Sequence, residues 1–172
     1  VKETVYGAVG NGVTDDTKAL QSALTAGAGK TVVIPDGTYK VTSALSVPAN
    51  TKVIGTGTIK QVTASTAAIS IAGSGVLIDG LTITGPQSSA TYASGEYGIY
   101  CAAANLASAY TDIEVRNCTI SLFGYAGIQA QFIDGFEFTG NTIKTVGYNG
   151  IAVLSGANGV IAGNRVQGVS VP

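Results

Sequence analysis

Histidine, tryptophan and methionine are absent from the 172 residues, charged residues make up only 11%, and aromatics only 7%. Without His there is no Ser-His-Asp or Cys-His nucleophile system and no imidazole ligand for a metal. Any acid–base chemistry falls to carboxylates, Lys, Arg or Tyr. The two cysteines, Cys101 and Cys118, form no metal-ligand pattern and read as small buried apolar side chains. A net charge of −1 supplies no field that would gather nucleic acid or an anionic membrane. No apolar run approaches the length of a membrane-spanning helix, and no signal-peptide pattern is present. The chain opens on Val1 without Met and ends at Pro172 with a repeat still in phase, so a truncated piece of a longer array is expected.

What the chain has is repetition. Asp112-Ile-Glu-Val-Arg-Asn-Cys-Thr-Ile120 is followed by Asp134-Gly-Phe-Glu-Phe-Thr-Gly-Asn-Thr-Ile143 and by Asn158-Gly-Val-Ile-Ala-Gly-Asn-Arg-Val166, with the last aliphatic residue recurring every 23 positions. Gly124-Tyr-Ala-Gly-Ile128 and Gly147-Tyr-Asn-Gly-Ile151 keep the same step. A fixed period of this size marks a solenoid, and 24 glycines with few charges suit its tight corners and small aliphatic core. Thr58-Ile59, Thr82-Ile83, Thr119-Ile120, Thr142-Ile143 and Arg165-Val166 make one ladder with steps of 24, 37, 23 and 23. The long step is a rung plus about 14 residues, assigned to loops within Gln87–Glu96 and Ala103–Tyr110. Such insertions project from one face, often the binding face. Alternation along each strand turns Val76/Ile78, Ile113/Val115, Phe136/Phe138 and Gly159/Ile161 inward as one stack, and Ile69/Ile71, Ile99/Cys101, Ile128/Ala130 and Ile151/Val153 as another. In the earliest rung Ile54 is assigned inward. Rungs ~4.8 Å apart give a rod of roughly 30 Å.

Residues 1–35 differ from the rest. Thr4–Asp16 is Gly-rich and loop-like, Thr14, Asp15 and Asp16 suit a helix N-terminus, and Ala19, Leu20, Ala23 and Leu24 have helical spacing up to Gly27 and Gly29. This short helix is expected to cap the upper strand edges, while nothing covers the lower end after Val171. The expected organisation is one domain over 1–172, with a cap region at 1–35 and rungs over 36–172.

The run Tyr6-Gly-Ala-Val-Gly-Asn-Gly-Val-Thr-Asp-Asp-Thr-Lys-Ala-Leu20, followed by Thr31-Val-Val-Ile-Pro-Asp-Gly-Thr-Tyr39, resembles the start of the pectate-lyase-like right-handed β-helix superfamily. That superfamily includes phage tailspike depolymerases, polygalacturonases and mannuronan epimerases. With the rungs, the resemblance implies an all-β, right-handed parallel β-helix with an N-terminal capping α-helix. It also implies an extracellular or virion-borne protein that binds or cleaves polysaccharide, and, for tailspikes, a homotrimer. A non-catalytic structural or carbohydrate-binding rod is the alternative.

Two outward surfaces are candidate sites. On the first, Glu137 stacks over Glu114 and Asp79 under Arg116, so Glu114, Glu137, Asp79 and Arg116 are the candidates for catalysis. Adjacent carboxylates can divide acid and base roles. The second carries Tyr100, Gln129 and Gln131, with Tyr97, Tyr125 and Tyr148 just before the same strands. Aromatic faces and amides suit sugar rings. Tyr100, Tyr125, Gln129 and Gln131 are assigned to substrate binding, with Glu96 expected to reach them from the insertion. Gly124-Tyr-Ala-Gly-Ile-Gln-Ala-Gln131 resembles the stretch where mannuronan epimerases carry Asp-Pro-His. Ile128-Gln129-Ala130 stands there instead and only Tyr125 matches, which argues against epimerisation. Pectate lyases of this superfamily use Ca²⁺ held by several Asp, with an Arg base. Only Asp79 and Arg116 offer part of that set, so no cofactor is expected. Asn141 and Asn164, with Asn117 offset by one, resemble the superfamily's stacked turn asparagines, and the Asn117-Cys-Thr119 sequon is assigned to a turn.

Overall fold

A computed structural model describes residues 6–170. The first five residues of the expected cap region, and the last two of the chain, lie outside the described residues. The chain runs β1 (Asn11–Asp15), α1 (Thr17–Ala26), β2 (Thr31–Ile34), β3 (Thr38–Val41), β4 (Leu45–Val47), β5 (Lys52–Gly55), β6 (Thr58–Gln61), β7 (Ile69–Ile71), β8 (Val76–Asp79) and β9 (Thr82–Thr84). It continues through β10 (Tyr97–Ala102), a 3-10 turn at Leu106–Ser108, β11 (Tyr110–Arg116), β12 (Thr119–Ser121), β13 (Ala126–Thr139), β14 (Thr142–Val146), β15 (Asn149–Ala162) and β16 (Arg165–Val169).

The strands stack as a right-handed parallel β-helix. One sheet has the order β1-β3-β6-β9-β12-β14-β16. The other has two arms, β2-β5-β8-β11 and β4-β7-β10, which meet on the long strand β13, and β15 stacks on β13 along nearly its whole length. The registers reproduce the ladder read from the sequence: Thr58 faces Thr82, then Thr119, Thr142 and Arg165. Beside it Ile59, Ile83, Ile120 and Ile143 stack inside the rod with at most 1% exposure. This is what a β-branched column gains from a parallel sheet, since every rung buries the one before it.

Corners are made by residues with positive φ. Gly80, Asn117, Gly140 and Gly163 occupy one corner in successive rungs, with φ between 53° and 81°. Asn is the non-glycine residue that best tolerates this region, which is why Asn117 stands there. The amide stack runs one residue later. Asn141 Nδ2 donates to Val115 O at 2.8 Å and Asn164 Nδ2 to Phe138 O at 2.7 Å. Asn141 N donates to Asn164 Oδ1 at 2.9 Å, and Cys118 N to Asn141 Oδ1 at 3.0 Å. Cys118 therefore takes the preceding place; its thiol lies 3.2 Å from Arg116 O and 3.9 Å from Ile78 O, the equivalent carbonyl one rung up.

Two expectations are corrected. The Gly-rich N-terminal stretch is not all loop, because residues 11–15 form β1 against β3. In β5 the inward residue is Val53, in register with Ile78, whereas Ile54 pairs with Asp79 and is half-exposed. A strand of four residues has too few alternations to fix its own phase. Helix α1 closes the upper end with Leu20, Ala23 and Leu24 buried. Its first turn is held by Asp15, which accepts from Thr17 N at 3.0 Å, rather than by a side-chain cap from Asp16. Asp16 turns inward to accept from Val9 N and Gly10 N at 2.7 and 3.0 Å.

Candidate functional site

Strand β13 bends at Phe132, where φ is 54°. Its first half carries one outward surface and its second half another, so both candidate sites are written on the same strands.

On the second half, Glu114 is in register with Glu137, and Arg116 lies between Asp79 and Thr139. Arg116 Nη1 reaches Glu114 Oε2 at 3.2 Å, and its Nε lies 3.7 Å from Asp79 Oδ2. Asn117 Nδ2 donates to the other Asp79 oxygen at 2.9 Å. Glu137 is exposed and has no ion-pair partner among the described residues. Asp112, Glu114, Glu137, Asn158 and Val160 line an open groove over this surface. The sequence arithmetic thus brings all four acidic-face candidates together. Arg116, Asp79 and Glu114 are about a third exposed, so each ion pair contributes under ~1 kcal/mol. Among the described residues no group of three His, Cys, Asp or Glu is arranged to hold a metal. Asp79 is engaged by Arg116 and Asn117.

On the first half, Ser70, Tyr100, Gln129 and Ala152 form one outward column, and Ala102, Gln131 and Leu154 the next. Tyr100 stacks on Tyr97 with centroids 4.9 Å apart. Tyr97 meets Tyr125 at 5.3 Å, Tyr125 meets Tyr148 at 5.3 Å, and Tyr92 lies 5.8 Å from both Tyr125 and Tyr148. Five tyrosines thereby make one continuous aromatic surface, with Tyr92 and Tyr148 its most exposed members. Burial first, and the neighbouring phenols second, push the Tyr97 hydroxyl above its ordinary pKa. Gln129 is 5% exposed, and its Oε1 is buried without a hydrogen-bond partner.

The Gly-Tyr-x-Gly motif explains this geometry. A Cβ on Gly127 would meet Ile143 Cγ2 at 2.5 Å, and one on Gly150 would meet Val166 Cγ1 at 2.4 Å, so the second glycine admits the aliphatic ladder. A Cβ on Gly124 would meet the Ala93 Cβ, and one on Gly147 would meet the Thr91 carbonyl. The first glycine therefore admits the insertion, whose Ala93 N donates to Gly124 O at 2.7 Å. That contact brings Tyr92 onto Tyr125 and Tyr148. Sequence reasoning missed Tyr92; the available signal was an aromatic residue inside the insertion.

Glu96 corrects an expectation. It is 1% exposed and faces inward, not toward a ligand. Its Oε2 accepts from Gln87 Nε2 at 2.7 Å and Gly124 N at 3.0 Å, and its Oε1 from Ser65 N at 3.3 Å. A buried carboxylate needs such donors, and here they clasp the insertion to the rod beside Tyr97 and Tyr125. Cys101 lies beneath the tyrosines and Cys118 beneath Arg116. Burial pushes both thiols up to about 12.

The family model described as rhamnogalacturonase A/epimerase, pectate lyase-like, matches residues 1–170. The pre-neck appendage protein of Bacillus phage B103 is 40% identical over 57 residues, covering 33% of this chain and 6% of that protein. A glucan 1,3-beta-glucosidase of Cochliobolus carbonum is 45% identical over 51 residues, covering 28% of this chain and 6% of that protein. The catalytic unit of a thermostable GH87 alpha-1,3-glucanase from Streptomyces thermodiastaticus strain HF3-3 aligns over 98% of this chain and 40% of its own. Its TM-score is 0.60 at 19% identity, a likeness of fold. The aligned part of this chain thus spans about 6% of the length of the sequence relatives named here.

Proposed function

The chain belongs to the pectate lyase-like rhamnogalacturonase A/epimerase family, and from that premise we propose that it is a polysaccharide-recognising β-helix segment of a phage tailspike or an extracellular polysaccharide depolymerase. The observation that carries this is the run of five tyrosines in mutual contact beside Gln129 and Gln131. Tyr presents a flat apolar ring for the C–H face of a sugar and a hydroxyl for its polar edge. Tyr100, Tyr125, Gln129 and Gln131 are the proposed sugar contacts, joined by Tyr92. Similarity to a phage appendage protein and to a glucosidase supports both the virion setting and the ligand class. Assembly as a homotrimer is part of the same proposal and is tested by light scattering on the eluting protein.

A second reading, cleavage, is favoured by the groove over Glu114 and Glu137. Parallel neighbours place their backbones ~4.8 Å apart, close to the roughly 5 Å separation of carboxyls in retaining glycosidases. Glu137, without a partner among the described residues, is the acid–base candidate, and Arg116 holds Glu114 in place. The deciding experiment incubates the chain with neutral, uronic-acid and sulfated polysaccharides. Reducing ends without new absorbance indicate hydrolysis, and new absorbance from unsaturated sugars indicates a lyase. Retention on a polysaccharide gel with neither product leaves a binding module, and no retention on any polymer overturns the proposal.

A further inference from the structure

We infer that the tyrosine face takes a neutral, hydroxyl-rich polysaccharide and rejects polyuronates and sulfated chains, with the Gln129 amide oxygen as its specificity-determining acceptor. This rests on the polysaccharide-binding proposal above and narrows its ligand.

The first ground is charge. The strand segments that build the face, Tyr97–Ala102, residues 126–131 and residues 149–154, contain no Lys, Arg, Asp or Glu. Tyr92, Tyr125 and Tyr148 complete it. The nearest cation in sequence, Lys144, lies on β14 in the other sheet. Past the bend in β13 lie Glu114, Glu137 and Arg116, and that one cation is already paired with Glu114 and Asp79. Sites for carboxylate or sulfate supply Arg or Lys forks, because an anion leaving water needs a compensating charge. This face supplies none.

The second ground is hydrogen-bond polarity. Gln129 Oε1 is buried and accepts no hydrogen bond within the described residues. A buried acceptor left unmade costs free energy, and a donor arriving with a ligand removes that cost. A sugar hydroxyl can donate. An ionised carboxylate or sulfate can only accept, so it would set acceptor against acceptor. The same atom therefore favours a sugar hydroxyl over an anionic oxygen at that point, while the missing cation bears on the polymer as a whole. The position of Gln129, beside Tyr100 in the register, puts the acceptor next to a ring that a sugar can cover.

Affinity electrophoresis of the whole chain in gels containing dextran, soluble β-glucan, polygalacturonate or carrageenan tests this. Retardation is expected from a neutral polymer, unchanged at about 1 M salt, where the Debye length is ~3 Å, and absent with the two polyanions. Gln129→Leu is expected to weaken that retardation by about tenfold without lowering the melting temperature, since it removes an unsatisfied buried acceptor. A structural role for Gln129 would show the reverse pattern, lower stability with binding intact, and would overturn its assignment. Retardation by polygalacturonate or carrageenan in preference to both glucans overturns the neutral-ligand inference while leaving a polysaccharide site. Retardation by none of the four overturns the binding proposal itself.

Discussion

The two outward surfaces of β13 share strands, register and rung spacing, yet they carry opposite chemistry. Before the bend at Phe132 the strand displays Gln129 and Gln131 among tyrosines; after it, Glu137 beside Glu114 and Arg116. Underneath, the two halves are alike: Ile128 and Phe138 are both fully buried. In a parallel β-helix the inward positions are dictated by the rungs above and below, while the outward ones are free of that demand. The aromatic surface is a cooperative structure, with each ring touching another and a loop clasped in place to complete it. The acidic surface is held by two solvent-screened ion pairs. The first is therefore the better organised to bind, and the second the easier to alter without consequence for the rod.

The largest effect should come from removing the shared foundation. Phe138→Ala and Ile128→Ala each delete a fully buried side chain, one under each surface, and each is expected to cost about 2–5 kcal/mol by urea unfolding. Because β13 and β15 are continuous through both surfaces, either substitution should weaken both. A variant that lost only the surface above its own cavity would divide the rod into two independent units.

Alkali probes the same foundation through its thiols. The folded-state pKa of Cys101 and of Cys118 is raised from 9 to about 12 by burial. The sign follows: the unfolded chain loses these protons first, so their contribution is fully present below pH 9 and disappears as pH rises toward 12. The slope is about 1.4 kcal/mol per pH unit for each thiol. Cys101→Ala and Cys118→Ala should each flatten the alkaline fall in the urea midpoint. Equal flattening would mean the ground beneath the two surfaces is equally dry.

The tyrosine network is next. Tyr125 touches Tyr92, Tyr97 and Tyr148, so Tyr125→Ala should lower neutral-polymer retention by about tenfold or more, in line with 1–2 kcal/mol of lost ring contact. Retention unchanged in this variant would move the binding surface away from the tyrosines.

The rod itself was legible because a period of 23 forces the same side chain to face the same way in every rung, so Thr82, Thr119 and Thr142 could be aligned by counting. Counting failed where no repeat supports it. The four residues of β5 offer no internal phase, and Val53 rather than Ile54 went inward. The asparagine stack of Asn141 and Asn164 was legible, and so was the one-residue offset of Asn117, a corner residue with positive φ that leaves the ladder position to Cys118. A sulfur in an amide's place is invisible to a search for Asn. Glu96 and Tyr92 were illegible for a different reason. Their roles depend on how a loop with no period folds back onto Gly124, and only the coordinates reveal that Glu96 is a clasp and Tyr92 a contact.

The smallest expected effect sharpens the comparison most. Glu137 is exposed and pairs with nothing among the described residues, so Glu137→Gln should leave stability within about 0.5 kcal/mol and leave neutral-polymer retention intact. If the groove cleaves, the same substitution should abolish release of reducing ends, because it removes the exposed carboxylate in register with Glu114. Glu114→Gln is the control with a structural component: it breaks the 3.2 Å pair with Arg116 and should cost up to about 1 kcal/mol. A cleavage rate unchanged by Glu137→Gln would strip the acidic surface of chemistry and leave the tyrosine surface as the functional one.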